Sequence, residues 1–227
     1  MPGDTRRVPS SSPAPPKLPS SFEETSRSDL ADEDEWNGEL VVGADLSGVV
    51  AGHVRIAGCE LRDVRLTGAE LDHCVLTDVR LVSCELSGAM LTESSWLRVE
   101  LQNCRMAGLV VSQSRLRDVR FSDDKLDGAD FRMTRAERVV FDSCAMPDAD
   151  LYEAALTNVE FEDCDLRRGH FSAVRVDGLR LHASNLEGVR GATALRGATV
   201  SVEQVLPLAL SVFADLGITI ETDQPPA

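Results

Sequence analysis

The stretch GAELDHCVLTDVRLVSCELSGAMLTESSWLRVE, residues 68–100, places an apolar residue at every fifth position: Leu71, Leu76, Leu81, Leu86, Leu91 and Trp96. Two residues before each stands a small one: Ala69, Cys74, Val79, Cys84, Ala89 and Ser94. Followed outward in both directions, the same clock holds without a slip from Val41 to Leu186, through 30 consecutive centres. A period of five fits neither the 3.6 of a helix nor the 2 of a strand. A short unit repeated over so long a stretch specifies a solenoid, in which each unit buries its apolar side only by stacking on its neighbours.

Sorting the residues at a spacing of 20 gives uniform columns. Phe121, Phe141 and Phe161 share one, Val79, Val99, Val119, Val139 and Val159 another, and Cys84, Cys104, Cys144 and Cys164 a third, interrupted by Asp124. Gly48, Gly68, Gly88, Gly108 and Gly128 form a corner column, where a residue lacking Cβ takes positive φ freely. Asp63, Ser83, Asn103, Asp123, Ser143 and Asp163 form a polar one suited to turns. Glu60, Arg80, Glu100 and Arg120 alternate in charge outside. At one strand spacing per coil, 30 units make about 7.5 coils and a rod of roughly 36 Å.

GADLS at 43–47, GAELD at 68–72, GADFR at 128–132 and DADLY at 148–152 are near-literal copies of A(D/N)LXX. The chain thereby resembles the pentapeptide-repeat family. The resemblance implies an all-β solenoid, a right-handed quadrilateral β-helix of four pentapeptides per coil, with the central residue and the one two before it inward. A square rod filled by side chains offers no pocket, so a non-catalytic role is expected. Some members of the family are acidic rods, dimerised through a C-terminal helical module, that mimic DNA and occupy the DNA-binding saddle of gyrase.

Four regions are expected. Residues 1–38, rich in Pro and Ser and then acidic, form a disordered tail, with Phe22 and Trp36 as its aromatic anchors. The β-helix spans 39–200, with a one-residue register slip after Leu186 that makes Leu195 and Val200 the next centres. Residues 201–220 form a capping and dimerisation helix opened by Ser201 with Gln204 as a capping box and ended by Gly217, with Pro207 kinking or delaying it. Residues 221–227 are a second disordered tail. On the helix, Val205, Ala209 and Phe213 are expected to cover the open core, leaving Leu208 and Leu210 for a second copy.

A formal charge of −15 argues against direct contact with nucleic acid or an anionic membrane. The N-terminus shows no signal-peptide pattern, and the Val205–Ile218 tract is too short to span a bilayer, so the expected location is cytoplasmic. Cys59, Cys74, Cys84, Cys104, Cys144 and Cys164 all fall on inward positions and read as small buried fillers. His53, His73, His170 and His182 read as outward, with no ligand spacing, so no metal, cofactor or catalytic centre is expected. Asp124 occupies an inward position, where a carboxylate is costly to bury unless hydrogen-bonded; the expectation is a local distortion of SDDKL that turns it outward, the alternative a site that binds or positions something.

Charge carries the functional signal. Residues 139–166 hold eight acids and no Lys or Arg: Asp142, Asp148, Asp150, Glu153, Glu160, Glu162, Asp163 and Asp165, a candidate partner-binding belt. Arg98, Arg115, Arg117, Arg135 and Arg138 gather on another face. Two readings follow: a non-catalytic protein-interaction scaffold, or a DNA mimic that binds a type II topoisomerase, gyrase, and modulates or protects it.

Overall fold

The computed structural model describes residues 12–219. It is a parallel-strand β-solenoid of about nine turns with one helix at its C-terminal end. The strands are β1 (Glu23–Thr25), β2 (Glu35–Asn37), β3 (Glu39–Val42), β4 (Arg55–Ala57), β5 (Glu60–Arg62), β6 (Val75–Val82), β7 (Ser95–Gln102), β8 (Arg115–Ser122), β9 (Arg135–Asp142), β10 (Ala155–Glu162), β11 (Arg175–Asp177), β12 (Arg180–His182) and β13 (Thr199–Val200). Registers such as Leu81↔Leu101, Leu101↔Phe121 and Phe121↔Phe141 confirm the 20-residue coil. Phe121, Phe141 and Phe161 stack face to face, centroids 4.6 and 4.7 Å apart.

Four walls follow from four corners. In each coil the residues at positions ending in 3 or 8 turn left-handed, among them Asp78, Asp123, Gly128 and Met133. A left-handed turn costs a non-glycine residue about 1 kcal/mol or more, and it persists because the ladder on either side fixes it. The first wall is centred on Leu61, Leu81, Leu101, Phe121, Phe141 and Phe161, the second on Leu66 and its equivalents, the third on Leu71, the fourth on Ile56, Leu76, Trp96, Leu116, Ala136 and Leu156. All these centres are buried. Strands β6 to β10 run unbroken across the fourth and first walls, whereas the second and third are joined by single bridges such as Arg65↔Glu85 and Glu70↔Met90.

Both ends differ from expectation. Residues 12–38 are not a free tail. β1 pairs with β3, β2 pairs with β4, Leu30 and Trp36 are buried, and Asp32 Oδ1 accepts the Gly52 N–H at 2.7 Å. Arg27 lies over the Trp36 ring, 5.1 Å from its centroid, and also binds Glu39. The segment looks coreless in sequence because its core partners belong to the first coils. Residues 1–11 and 220–227 lie outside the described residues. The added rungs at both ends lengthen the rod beyond 7.5 coils.

At the other end Leu181 pairs with Val200, a separation of 19 instead of 20, so the register slip is real. Gly191, left-handed, makes the turn into it; a Cβ there would stand 2.3 Å from the Ser172 nitrogen. Ser201 N–H donates to Gln204 Oε1 at 2.9 Å, and Gln204 Nε2 donates to the Ser184 carbonyl at 2.8 Å. Residues Val202–Gln204 form a 3-10 turn and α1 starts only at Val205, ending at Asp215. That delay places Pro207 in the first turn, where its missing N–H costs nothing.

Candidate interaction faces

The acidic belt is mostly paired. Asp142 meets Arg120 at 3.4 Å, Asp148 meets Arg168 at 2.6 Å, Asp150 meets His170 at 3.1 Å, Glu160 meets Arg180 at 3.5 Å and Asp165 meets Arg167 at 2.6 Å. The Arg168 guanidinium holds the Asp148 carboxyl below its usual range, and Arg167 does the same to Asp165. Glu153, Glu162 and Asp163 have no cationic partner among the described residues. The eight acids do not share a face. Asp142, Glu160 and Glu162 lie on the first wall and Asp163 on its edge, Asp165 lies on the second, and Asp150 on the third. Asp148 and Glu153 occupy the two edges of the third wall. The belt wraps three walls and stops at the fourth.

The fourth wall is basic. Arg115 and Arg135, both exposed, stand on neighbouring rungs with no carboxylate partner among the described residues. With Arg117, Glu137 and Thr157 they line a shallow depression floored by Leu116 and Ala136. Arg98 and Arg138, grouped with them by sequence, behave differently. They sit on the edge between the fourth and first walls, where Arg98 grips Asp78 and Arg138 grips Asp118 through Nε and Nη2.

Asp124 points inward and is 1% exposed, against the expectation of a distorted loop. Its Oδ1 accepts the Cys104 N–H at 2.7 Å and its Oδ2 the Ser122 N–H at 3.1 Å. Two backbone donors make burial tolerable without turning the chain. Burial still pushes the carboxyl up to about 7, the two N–H groups pulling partly back. The clue in sequence was the column itself, since Ser184 fills an equivalent position and likewise accepts an N–H from the coil before it.

All six cysteines are buried, and burial pushes the Cys74 thiol up to about 11. Among the described residues no group of three or more His, Cys, Asp or Glu is placed to hold a metal. A cavity among Ile56, Leu76, Leu81 and Trp96 measures about 20 Å³, room for one water at most.

On the cap the expected roles are partly reversed: Leu210 is exposed as expected, whereas Leu208 is not. Leu208 and Val212 pack against the core and Ser211 is buried, while Val205, Leu206, Leu210, Phe213 and Leu216 are exposed. Leu208 is therefore a cap residue, not a surplus one. Val205 and Phe213, expected over the core, instead lie on the exposed side of α1. Leu206, Leu210 and Phe213 form an uncovered apolar stripe.

Comparison with known proteins agrees with the repeat. The family model for pentapeptide repeats (8 copies) matches residues 59–95, and that for a pentapeptide repeat region matches 94–171. No curated protein matches the chain. Among solved structures it is similar to QnrB1, a plasmid-mediated fluoroquinolone resistance protein, with 20% identity, a TM-score of 0.48, and coverage of 87% of this chain and 100% of that one. It is also similar to HetL, a pentapeptide-repeat protein involved in heterocyst differentiation regulation from the cyanobacterium Nostoc sp. strain PCC 7120, at 16% identity and a TM-score of 0.36, covering 72% of this chain and 89% of HetL.

Proposed function

We propose, from the premise that this chain belongs to the pentapeptide-repeat family, that it is a non-catalytic scaffold whose walls bind a protein partner. The observation that carries this is the contrast of a filled interior with walls of regularly spaced charge. From Val41 to Leu186 every centre but the half-buried Val176 is buried, whereas the exposed acids and arginines repeat at one strand spacing along the rod. Such a surface offers an extended partner a rigid charge pattern and offers a small substrate little enclosure. Among the described residues no helix is long and apolar enough to cross a membrane; we place the protein in the cytoplasm, with no direct nucleic-acid or membrane contact. Charge reversal at Glu162→Lys and Asp163→Lys tests the scaffold. A partner captured by the wild type should be lost by the variant while the β-rich circular dichroism stays the same. Equal capture by both chains would remove the belt from the interface.

The second reading is a DNA mimic acting on gyrase. It is favoured by the net charge of −15 and by the uncovered stripe of α1, which would join two copies end to end into a rod of double length. Leu206→Asp with Leu210→Asp should give a folded monomer by sedimentation, whereas Leu208→Asp should loosen the cap. A wild type already monomeric at tens of micromolar sinks the dimer. A gyrase supercoiling assay unaffected at micromolar protein sinks the mimic.

A further inference from the structure

Residues 12–19, SPAPPKLP, run along the edge between the fourth and first walls, opposite in direction to the advance of the coils. The Ala14 N–H donates to Asp118 Oδ1 at 3.1 Å, and the Lys17 N–H donates to Asp78 Oδ1 at 2.8 Å. Further along, Pro19 Cδ passes 3.9 Å from where a Cβ on Gly58 would stand. Pro13 and Pro16 are half-buried against the rod, while Ala14, Pro15 and Lys17 are exposed.

Two periodicities meet here. Asp78 and Asp118 are 40 residues apart, which is two coils, or about 9.6 Å at one strand spacing each. Ala14 and Lys17 are three residues apart. Crossing 9.6 Å in three residues takes about 3.2 Å per residue, close to the 3.1 Å rise of polyproline II, whose threefold turn returns the same side of the chain to the edge every third residue. The composition suits the register. Residues 13, 15, 16 and 19 are Pro, and the N–H groups at 14 and 17 are those that meet a carboxylate. The edge is prepared for them: Arg98 and Arg138 hold the two carboxylates from the next coil, and Gly58 leaves room for a proline ring.

We propose that this edge is a docking site for polyproline-II segments carrying an N–H at every third residue. Residues 12–19 are its internal occupant, and a proline-rich segment of a partner protein reaches it by displacing them. The strap is suited to displacement because Ala14 and Lys17, their side chains exposed, each meet the edge through a single backbone N–H, whereas the strand that follows, β1, is laddered to β3. This surface is separate from the acidic belt, so the proposal survives whichever partner the belt takes.

The test uses the full chain with Ala14→Pro and Lys17→Pro, which keep the segment proline-rich and remove both donors. A fluorescent peptide of sequence SPAPPKLP should bind this variant at least tenfold more tightly than it binds the wild type. It should bind neither chain once Asp78→Ala and Asp118→Ala are added. In the wild type, hydrogen exchange at the Ala14 and Lys17 amides should be slowed at least tenfold relative to Ser21. No binding of the peptide to the double-proline variant, with circular dichroism unchanged, overturns the docking site. Equally tight binding to variant and wild type overturns internal competition, as does free exchange of both amides.

Discussion

Two long edges of the rod take the same left-handed turn in every coil with opposite chemistry. Gly48, Gly68, Gly88, Gly108 and Gly128 line one, and a Cβ on any of them would meet nothing within 4 Å. Diagonally across, Asp78, Arg98, Asp118 and Arg138 line the other, interlocked by guanidinium–carboxylate forks and covered by residues 12–19. Over these five coils the glycine edge avoids strain and touches nothing, before continuing in Asp148 and Arg168, which make the same fork. The charged edge, glycine at 38 and 58, accepts strain at the four coils from Asp78 to Arg138 and gains carboxylates that face residues 12–19. Non-glycine residues turn left-handed at most corners of the rod; what sets the run from Asp78 to Arg138 apart is that its carboxylates hold residues 12–19 as well as the arginines.

The largest break in this comparison should come from Asp78→Ala with Asp118→Ala. Each substitution removes a set of charge-assisted hydrogen bonds with a net contribution of about 1.5–3 kcal/mol, so the pair should lower stability by about 3–6 kcal/mol in urea unfolding and expose Lys17 to trypsin. A loss under 1 kcal/mol would mean that the edge is decoration.

Titration should separate the same acids from Asp124. Arg98 and Arg138 hold Asp78 and Asp118 below the usual carboxylate range. Their contribution is present above about pH 4 and lost as pH falls through the lowered values. Asp124, pushed up to about 7, runs the other way. The folded chain keeps a proton that the unfolded chain releases, so stability falls as pH rises from about 4 to 7. Asp124→Ser should flatten that slope and raise the melting temperature at pH 8 by several degrees. Serine fits because Ser94, Ser114 and Ser184 fill equivalent inward places and accept the N–H one coil earlier. A slope unchanged by the substitution would refute the buried acid as its source.

Gly88→Ala should cost about 1 kcal/mol, the left-handed penalty alone, and leave the strap in place. A cost of several kcal/mol would show that something packs on the bare edge. The smallest effect is expected from Glu100→Gln, which removes the partner of Arg80 at 3.0 Å. A partly exposed pair of this kind contributes at most about 1 kcal/mol.

The walls, the corners at Gly88 and Asp123 and the buried cysteines were legible because a five-residue period admits one stacking solution. The strap was not. A proline-rich segment carries no apolar period of its own, and its order comes from carboxylates 61 and 104 residues away. Leu208 was misjudged for a local reason. α1 carries apolar residues on two sides, Val205 with Phe213 and Leu208 with Val212, and the helical period alone does not say which side meets the last coil. The belt acids were identifiable by type, but the pairing of Asp148 with Arg168 and of Glu160 with Arg180 needed the coil register between them.

The 20-residue coil also sets a timescale. Nearly every rung joins residues 20 apart, about 0.09 of the 227-residue length, a separation relative to size typical of fast-folding helical bundles rather than all-β sandwiches. Each completed coil templates the next, so assembly can proceed by local propagation along the rod. The strap is the exception, since it must wait for coils that end 104 residues downstream of its anchor. On a ribosome, residues 12–19 emerge well before the edge they dock on, and until the coils carrying Asp118 and Arg138 have formed the proline-rich segment is free to meet other chains.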